Sequence, residues 1–363
     1  MITLYRGCKS FSREPHRLVT DYHSGHIPLH LSPSLSHTAA TSLMDSENAT
    51  FVLLASQYEE NHPPPPSAAL RLQRIPWQVC SFLHNGASVL DSGLSLTSGI
   101  PAQGMPDEIA CILHSTGSTA NPKPIPSLHR NLIATGMMFE SSSRLCLSPI
   151  SHAYAYYHSV ICLTHGDQIF LPRTGVALGR DITSDFIIRA IQASRGKARL
   201  FTAVPRFLEL LVDEPRGLVN LAQFAGVTVC GGMLSTNVAQ QLLDFGIPLQ
   251  NLVAATECAP MMSSGPPRTS TNWNHLMVDE RLASFVEFRM FDSTEQSYEL
   301  LVQPRHPCLR LVIHDHGVWR SGDLYKCIIK DQGSANGTWT YYRRANEVIC
   351  HSTGMKSDTT YGE

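Results

Sequence analysis

The chain has 363 residues, enough on a scale of about 150 per domain for roughly two to three structural units with a large buried core, which excludes a peptide or a small staple-held module. Its 28 Lys plus Arg nearly balance 30 Asp plus Glu, and charged residues make up only 16% of the chain, so no nucleic-acid or membrane-surface footprint is expected. The 43% apolar and 8% aromatic shares are those of a folded globular chain.

The opening MITLYRGCKSF has no basic segment leading into an apolar run, and no stretch reaches the roughly 18 consecutive apolar residues of a membrane span, so neither a signal peptide nor a transmembrane helix is expected. Cys111, Cys162 and Cys230 sit singly in apolar runs with no Cys-x-x-Cys pair, which reads as reduced core thiols in an intracellular, cytoplasmic protein. A helical stretch covers residues 34–43. Prolines 63–66 form a rigid loop or extended spacer. Strands are expected at 51–55, 109–113, 168–171, 200–204, 227–230 and 251–254, alternating with helical patterns in the manner of crossover units and a mostly parallel sheet.

Two of these helices carry their own punctuation. Phe186, Ile187, Ala190 and Ile191 recur at helical spacing after Thr183 and Ser184, with Gly196 as a stop; Val238, Ala239, Leu242 and Leu243 follow Ser235, with Gly246 as a left-handed cap. Residues 263–271, rich in Ser, Pro and Thr, read as a surface loop. Beyond about residue 282, runs at 285–291, 298–302 and 309–313 are strand-like without intervening helices, which predicts a smaller antiparallel β unit.

The segment HSTGSTANPKP, residues 114–124, follows a predicted strand and precedes a helical pattern beginning near Ser127. Ser115, Thr116, Ser118 and Thr119 cluster around Gly117. Such a loop can wrap a polyphosphate with hydroxyl and backbone N–H donors while Lys123 supplies a point charge. By composition alone it serves equally as an ordinary Ser/Thr/Gly connection. A Walker-type loop is excluded, because Pro122 precedes Lys123 and has no N–H to give to a phosphate.

The order Ser-Thr-Gly-Ser-Thr, Pro-Lys-Pro, then His129 resembles the phosphate loop of adenylate-forming enzymes, and the preceding His with the following Pro-Ile resembles fungal synthetase-like carboxylic acid reductases. Three further segments fall in that superfamily's order. Gly231 and Gly232 in VCGGMLS resemble its Gly-Gly turn, Thr256 and Glu257 in NLVAATECAP its Thr-Glu motif, and WRSGDL, ending in Asp323 and Leu324, its Arg-Thr-Gly-Asp-Leu motif. The resemblance implies a layered α/β core of mostly parallel sheets with flanking helices, joined to a small β-rich subdomain. It implies ATP and Mg²⁺ as cofactors and a small-molecule carboxylic acid, activated to acyl-AMP in secondary metabolism. Ser115 to Thr119 and Lys123 would cradle the β- and γ-phosphates, Thr256 would face the α-phosphate, Glu257 would hold Mg²⁺, and Asp323 would accept hydrogen bonds from the ribose hydroxyls. His152, in LSPISHAYAYYHS, lies where the family lines its acid pocket, although Ser151 precedes it where an aromatic is usual. The absence of an Asp between Arg144 and Gly166 favours an acid without an α-amino group. His158 reads as structural.

The chain also departs from the family pattern. Ala120 stands where a Gly is usual, and Val253 and Ala254 replace an adenine-stacking aromatic and the Gly after it, which predicts weakened nucleotide binding. The segment TYYRRANEVICHSTGMKS resembles the family hinge with Arg344 as its Arg, and the mobile subdomain and carrier domain that follow in the family have no counterpart in the sequence. The expected organisation is an N-terminally shortened core over 1–281, a β-rich subdomain over 282–342 and a hinge remnant over 343–363, with a separate carrier or C-terminal-subdomain protein as a partner and no nucleic-acid or membrane partner. A non-catalytic pseudoenzyme or interaction protein keeping the same fold is the alternative. GSANGT at 333–338 is similar to a phosphothreonine-binding loop by chance, and His314-Asp315-His316, lacking a third ligand, reads as a polar turn rather than a metal clip.

Overall fold

The computed structural model describes residues 2–6, 27–32, 35–47, 51–55, 71–75, 106–115, 122–171, 182–269, 271–310, 317–329, 337–345, 348–350 and 356–358. The Pro63–66 spacer, the loop residues 116–121 with Ala120, His314 to His316 and most of GSANGT lie outside them.

The first sheet has six strands in the order β4-β3-β1-β2-β5-β6: β1 (Ile2–Arg6), β2 (Ile27–Leu31), β3 (Phe51–Ala55), β4 (Arg71–Ile75), β5 (Ile109–His114) and β6 (Pro124–Leu128). Only β2 with β5 and β3 with β4 run parallel, so this sheet is mixed rather than mostly parallel. Strand β6 occupies sequence read as the approach to a helix. It pairs antiparallel with β5 as a hairpin, the arrangement a short connection permits, and its two prolines are tolerated because β6 is an edge strand.

The second sheet has seven strands in the order β13-β12-β11-β10-β9-β7-β8, formed by β7 (Arg144–Cys146), β8 (Ile169–Phe170), β9 (Leu200–Ala203), β10 (Gly226–Val229), β11 (Leu249–Ala255), β12 (Ala259–Ser263) and β13 (Met277–Val278). Here the alternation reading holds: β8, β7, β9, β10 and β11 are parallel neighbours, and β12 and β13 add an antiparallel edge. The third sheet is an antiparallel meander of β14 (Val286–Asp292), β15 (Ser297–Val302), β16 (Trp319–Ile329) and β17 (Thr338–Arg344). A last antiparallel pair joins β18 (Val348–Cys350) to β19 (Lys356–Asp358). The strand expected from residue 309 does not form at Leu309 and Arg310. Both are buried in irregular chain, and the Arg310 N–H donates to the Glu257 carbonyl (2.8 Å) instead of a ladder partner.

Seven helices are described: α1 (His37–Ser46), α2 (His129–Met138), α3 (Ala153–His165), α4 (Ser184–Ala193), α5 (Pro205–Val212), α6 (Pro215–Leu221) and α7 (Thr236–Asp244). Thr183 and Ser235 cap α4 and α7 through side-chain oxygens that accept the N–H of Phe186 (3.2 Å) and Val238 (3.3 Å). Gly196 and Gly246 follow those helices with φ of 68° and 82°, the left-handed geometry glycine adopts without strain.

One face of the second sheet, with Leu145, Phe201, Val227, Val229 and Leu249, packs against the apolar stripes of α4 to α7. The other face takes α3. Tyr154 and Ala155 of that helix meet Cys146, Cys230 and Leu252, while Ala153, Tyr156 and Tyr157 meet Cys111 and Leu113 of β5. Helix α3 is therefore buried between the first two sheets, which explains why nearly its whole circumference is apolar or aromatic. Among the described residues no helix is long and apolar enough to cross a membrane, and Cys111, Cys146, Cys162, Cys230, Cys258 and Cys308 are buried free thiols.

Close approach fixes one glycine. A Cβ on Gly217, in α6, would sit 2.1 Å from the backbone carbonyl oxygen of Leu211 in α5. Gly217→Ala is expected to force the two helices apart and cost about 1–3 kcal/mol, read as a lower urea midpoint at unchanged slope.

Candidate active site

The two motif turns lie side by side because their strands do. Strands β10 and β11 are parallel neighbours, with Val229 opposite Asn251, so the Gly231–Gly232 turn and the Thr256–Glu257 turn both emerge at the carboxyl ends of the sheet. That edge is where open α/β sheets bind ligands. Gly231 has a φ of 89°, so the turn needs glycine there.

The ladder between β11 and β12 is bulged: Val253 faces Met262 and Ala254 faces Pro260, which leaves Met261 of β12 as the extra residue. The Thr256–Glu257 turn closes into Ala259, which lies two residues before that bulge and holds a φ of 60° while fully buried. A left-handed alanine costs about 1–2 kcal/mol, strain of the sort that a site retains where the surrounding packing dictates the backbone. Tyr157 secures the turn from α3 by donating its hydroxyl to the Thr256 carbonyl. Glu257 is half-buried, and among the described residues no basic side chain pairs with its carboxylate.

Beneath this turn lies Arg310, which the motif reading passed over. It is 2% exposed and its guanidinium is fully engaged: Nε donates to Ser127 Oγ (3.3 Å), Nη2 to Thr135 Oγ1 (3.0 Å) and Nη1 to the Cys308 carbonyl. Its plane lies 4.3 Å from the centre of the Tyr157 ring. The one available signal was a cationic residue inside an apolar run.

Asp323 is presented by a bulged segment of β16. Gly322 is left-handed with a φ of 67°, Ser321 Oγ accepts the Asp323 N–H (3.0 Å), and buried Glu299 accepts both the Gly322 N–H (3.3 Å) and the Arg320 guanidinium. Each residue of the Arg-Ser-Gly-Asp motif thus has a local task. Arg344, the last residue of β17, donates to Asp323 Oδ1 at 2.7 Å. Burial raises the Cys258 thiol, and the carboxylates of Glu257 and Asp323 raise it further.

The phosphate-loop candidate begins where β5 ends. The Ser115 N–H donates to the Lys123 carbonyl (2.9 Å), which closes the neck of the loop and leaves Lys123 exposed. Thr116, Gly117, Ser118 and Thr119 lie outside the described residues. His114 Nε2 accepts the Ser32 N–H (3.0 Å), and His152 is the N-cap of α3, its Nδ1 accepting the Tyr154 N–H (3.3 Å). Burial lowers His30, His114 and His152, and His114 in turn opposes charging of the other two, which fall to about 4. Neither ring nitrogen of His30 meets a partner among the described residues.

Three histidines held neutral make stability pH-dependent with a definite sign. The unfolded chain protonates them near 6.5 and the folded chain does so lower, so their contribution is complete above about 6.5 and is lost as pH falls toward about 4. The urea midpoint is expected to drop between pH 7 and pH 5, and His152→Asn, which keeps a capping oxygen, should flatten that slope.

Comparison with known proteins shows the family and the fold. The AMP-binding enzyme family matches residues 22–297. The adenylate-forming reductase stbB of Stachybotrys bisbyi is 27% identical over 344 residues, which cover 91% of this chain and 30% of that protein. A carboxylic acid reductase of Neurospora crassa is 25% identical over 68% of this chain and 24% of its own length. Among solved structures, ATP-bound MatB from Rhodopseudomonas palustris shares the fold with a TM-score of 0.67 at 15% identity, covering 91% of this chain and 66% of that one. The chain spans about 30% of the length of stbB. On a family match that takes in the whole second sheet and the Gly-Gly and Thr-Glu turns, the chain belongs to the AMP-binding enzymes.

Proposed function

We propose that the chain activates a carboxylic acid with ATP, forming acyl-AMP and pyrophosphate, as part of secondary metabolism. The observation that supports this reading is that the Thr256–Glu257 turn and the Gly231–Gly232 turn stand side by side at the carboxyl ends of β11 and β10. Ser115, Thr116, Gly117, Ser118, Thr119 and Lys123 would bind the β- and γ-phosphates, and the hydroxyl of Thr256 would orient the α-phosphate for attack by the acid. Asp323 would hold the ribose, with Arg344 fixing its carboxylate, and Gly231 and Gly232 would admit the nucleotide close to the backbone. His152, neutral at physiological pH, would line the acid pocket without adding charge.

Glu257 fits a hard cation, because its carboxylate is half-buried with no basic partner among the described residues. Mg²⁺ held there would supply charge compensation for the phosphates. Val253 and Ala254 favour a second reading, an interaction protein that keeps the fold without turnover, since Val253 packs against the core beside Met261 and offers no aromatic face to a base.

ATP–pyrophosphate exchange with a panel of aryl, keto and amino acids tests both. Exchange that requires one acid and falls at least tenfold in Lys123→Ala is the expected result. Bound ATP without exchange for any acid would favour the interaction protein.

A further inference from the structure

Of His30, His114 and His152, it is His114 that joins two segments of the chain. It is the last residue of β5 and is 8% exposed. Its Nε2 accepts the N–H of Ser32, which lies 82 residues away and just past the end of β2 (3.0 Å). Its Nδ1 stands 3.3 Å from the Ser115 carbonyl. A ring nitrogen that accepts carries no proton, so the neutral ring has its proton on Nδ1 and donates it to that carbonyl. Burial favours this neutral form. Strands β2 and β5 register through one pair, Leu29 with Ile112, and the Ser32 bond extends that short interface past the strand end.

Ser115 has a second task. Its N–H donates to the Lys123 carbonyl (2.9 Å), so the His114 ring and Lys123 engage both of its backbone polar groups. Lys123 stands between Pro122 and Pro124. Pro122 has a fixed φ, and Pro124 restricts Lys123 itself to extended backbone. Pro124 also lies opposite His114 in the β5–β6 ladder. The prolines that exclude a Walker loop therefore stiffen this neck, and a displacement of Ser115 passes to the Lys123 backbone instead of being absorbed by rotation.

We infer that His114 is a positioning residue for a bound polyphosphate: its ring, held by the Ser32 N–H and donating to the Ser115 carbonyl, sets Ser115 and, through it, the backbone that carries the Lys123 ammonium. The inference rests on the reading of Ser115 and Lys123 as ligands of the β- and γ-phosphates, and it deepens that reading by naming what holds them in place. A lysine ammonium is a point charge on a flexible stem, so the position of its backbone decides where it can reach. Fixing that backbone before the ligand arrives removes part of the ordering cost of binding.

Calorimetry with Mg-ATP and with AMP tests the role, because AMP lacks the two phosphates that Ser115 and Lys123 would meet. His114→Leu is expected to weaken Mg-ATP binding at least tenfold and AMP binding less than twofold, a split that a general loss of packing would not produce. In a Lys123→Ala background, His114→Leu should cost less than a further threefold, because its effect passes through Lys123. Equal losses for Mg-ATP and AMP, or the full tenfold again in the Lys123→Ala background, would overturn the positioning role. Unchanged Mg-ATP affinity in Lys123→Ala itself would overturn the phosphate reading, and this inference with it. If His114→Leu does not fold, His114→Gln decides: its Oε1 keeps an acceptor for the Ser32 N–H while the donor at the Nδ1 position is lost. A severalfold loss confined to Mg-ATP is expected there, and unchanged Mg-ATP affinity would overturn the proposal.

Discussion

Replacing Arg310 with methionine is expected to lower the unfolding free energy by about 3 kcal/mol or more, because a hydrogen bond to a charged group is worth about 1.5–3 kcal/mol and three are lost together. Ser127 Oγ, Thr135 Oγ1 and the Cys308 carbonyl all face the guanidinium. Methionine fills much of the volume, so the loss isolates the polar contacts from cavity formation. Lysine should recover little, since one ammonium cannot span acceptors on β6, α2 and the 306–310 loop that a planar fork reaches together. The Tyr157 ring rests on that guanidinium and its hydroxyl holds Thr256, so Arg310→Met is also expected to weaken ATP binding without touching ATP. Equilibrium urea unfolding checks the first effect. A loss below 1 kcal/mol would show that the network is dispensable.

Arg310 also marks the limit of what the sequence discloses. The strands of the second sheet were legible because β-branched and apolar runs of the right length alternate with capped, periodic helices; Thr183, Ser235 and Gly246 each do what their chemistry suggests. The first sheet was less legible. Its mixed pairing depends on contacts between strands far apart in sequence, and its edge strand β6 is spelled Pro-Ile-Pro-Ser-Leu, which local propensity argues against. The motif turns could be placed by order alone, but the residues that hold them could not. Tyr157, Arg310 and Glu299 act across sequence separations of 99, 175 and 23 residues, and nothing local announces such a partner. The strained Ala259 is equally silent, because its φ goes with the turn before it and the bulge at Met261 after it rather than with alanine. Arg144 is a similar case: it reads as the ordinary start of a strand, and only the fold removes it from water and sets His158 beside it.

Asp323→Ala is expected to weaken ATP binding by tenfold or more, since hydrogen bonds to a charged group are worth about 1.5–3 kcal/mol and the ribose would lose its acceptor. The geometry makes this carboxylate a prepared one. Gly322 in the left-handed region, Ser321 on the Asp323 N–H and Glu299 behind both fix the backbone, and Arg344 occupies Oδ1. Asp323→Asn retains an acceptor oxygen while losing the charge that Arg344 meets, so its effect should fall between wild type and alanine. Both changes also remove a largely buried ion pair, and the melting temperature must be read beside the affinity to separate a loosened β16–β17 edge from a lost ligand contact. Arg344→Met serves that purpose, because it breaks the same pair and leaves the carboxylate in place. If the ribose contact is the important one, Asp323→Ala will cost more ATP affinity than Arg344→Met at equal loss of stability. Equal losses of affinity would make Asp323 a structural partner of Arg344, and unchanged affinity in both Asp323→Ala and Lys123→Ala would remove the nucleotide from this edge of the sheet.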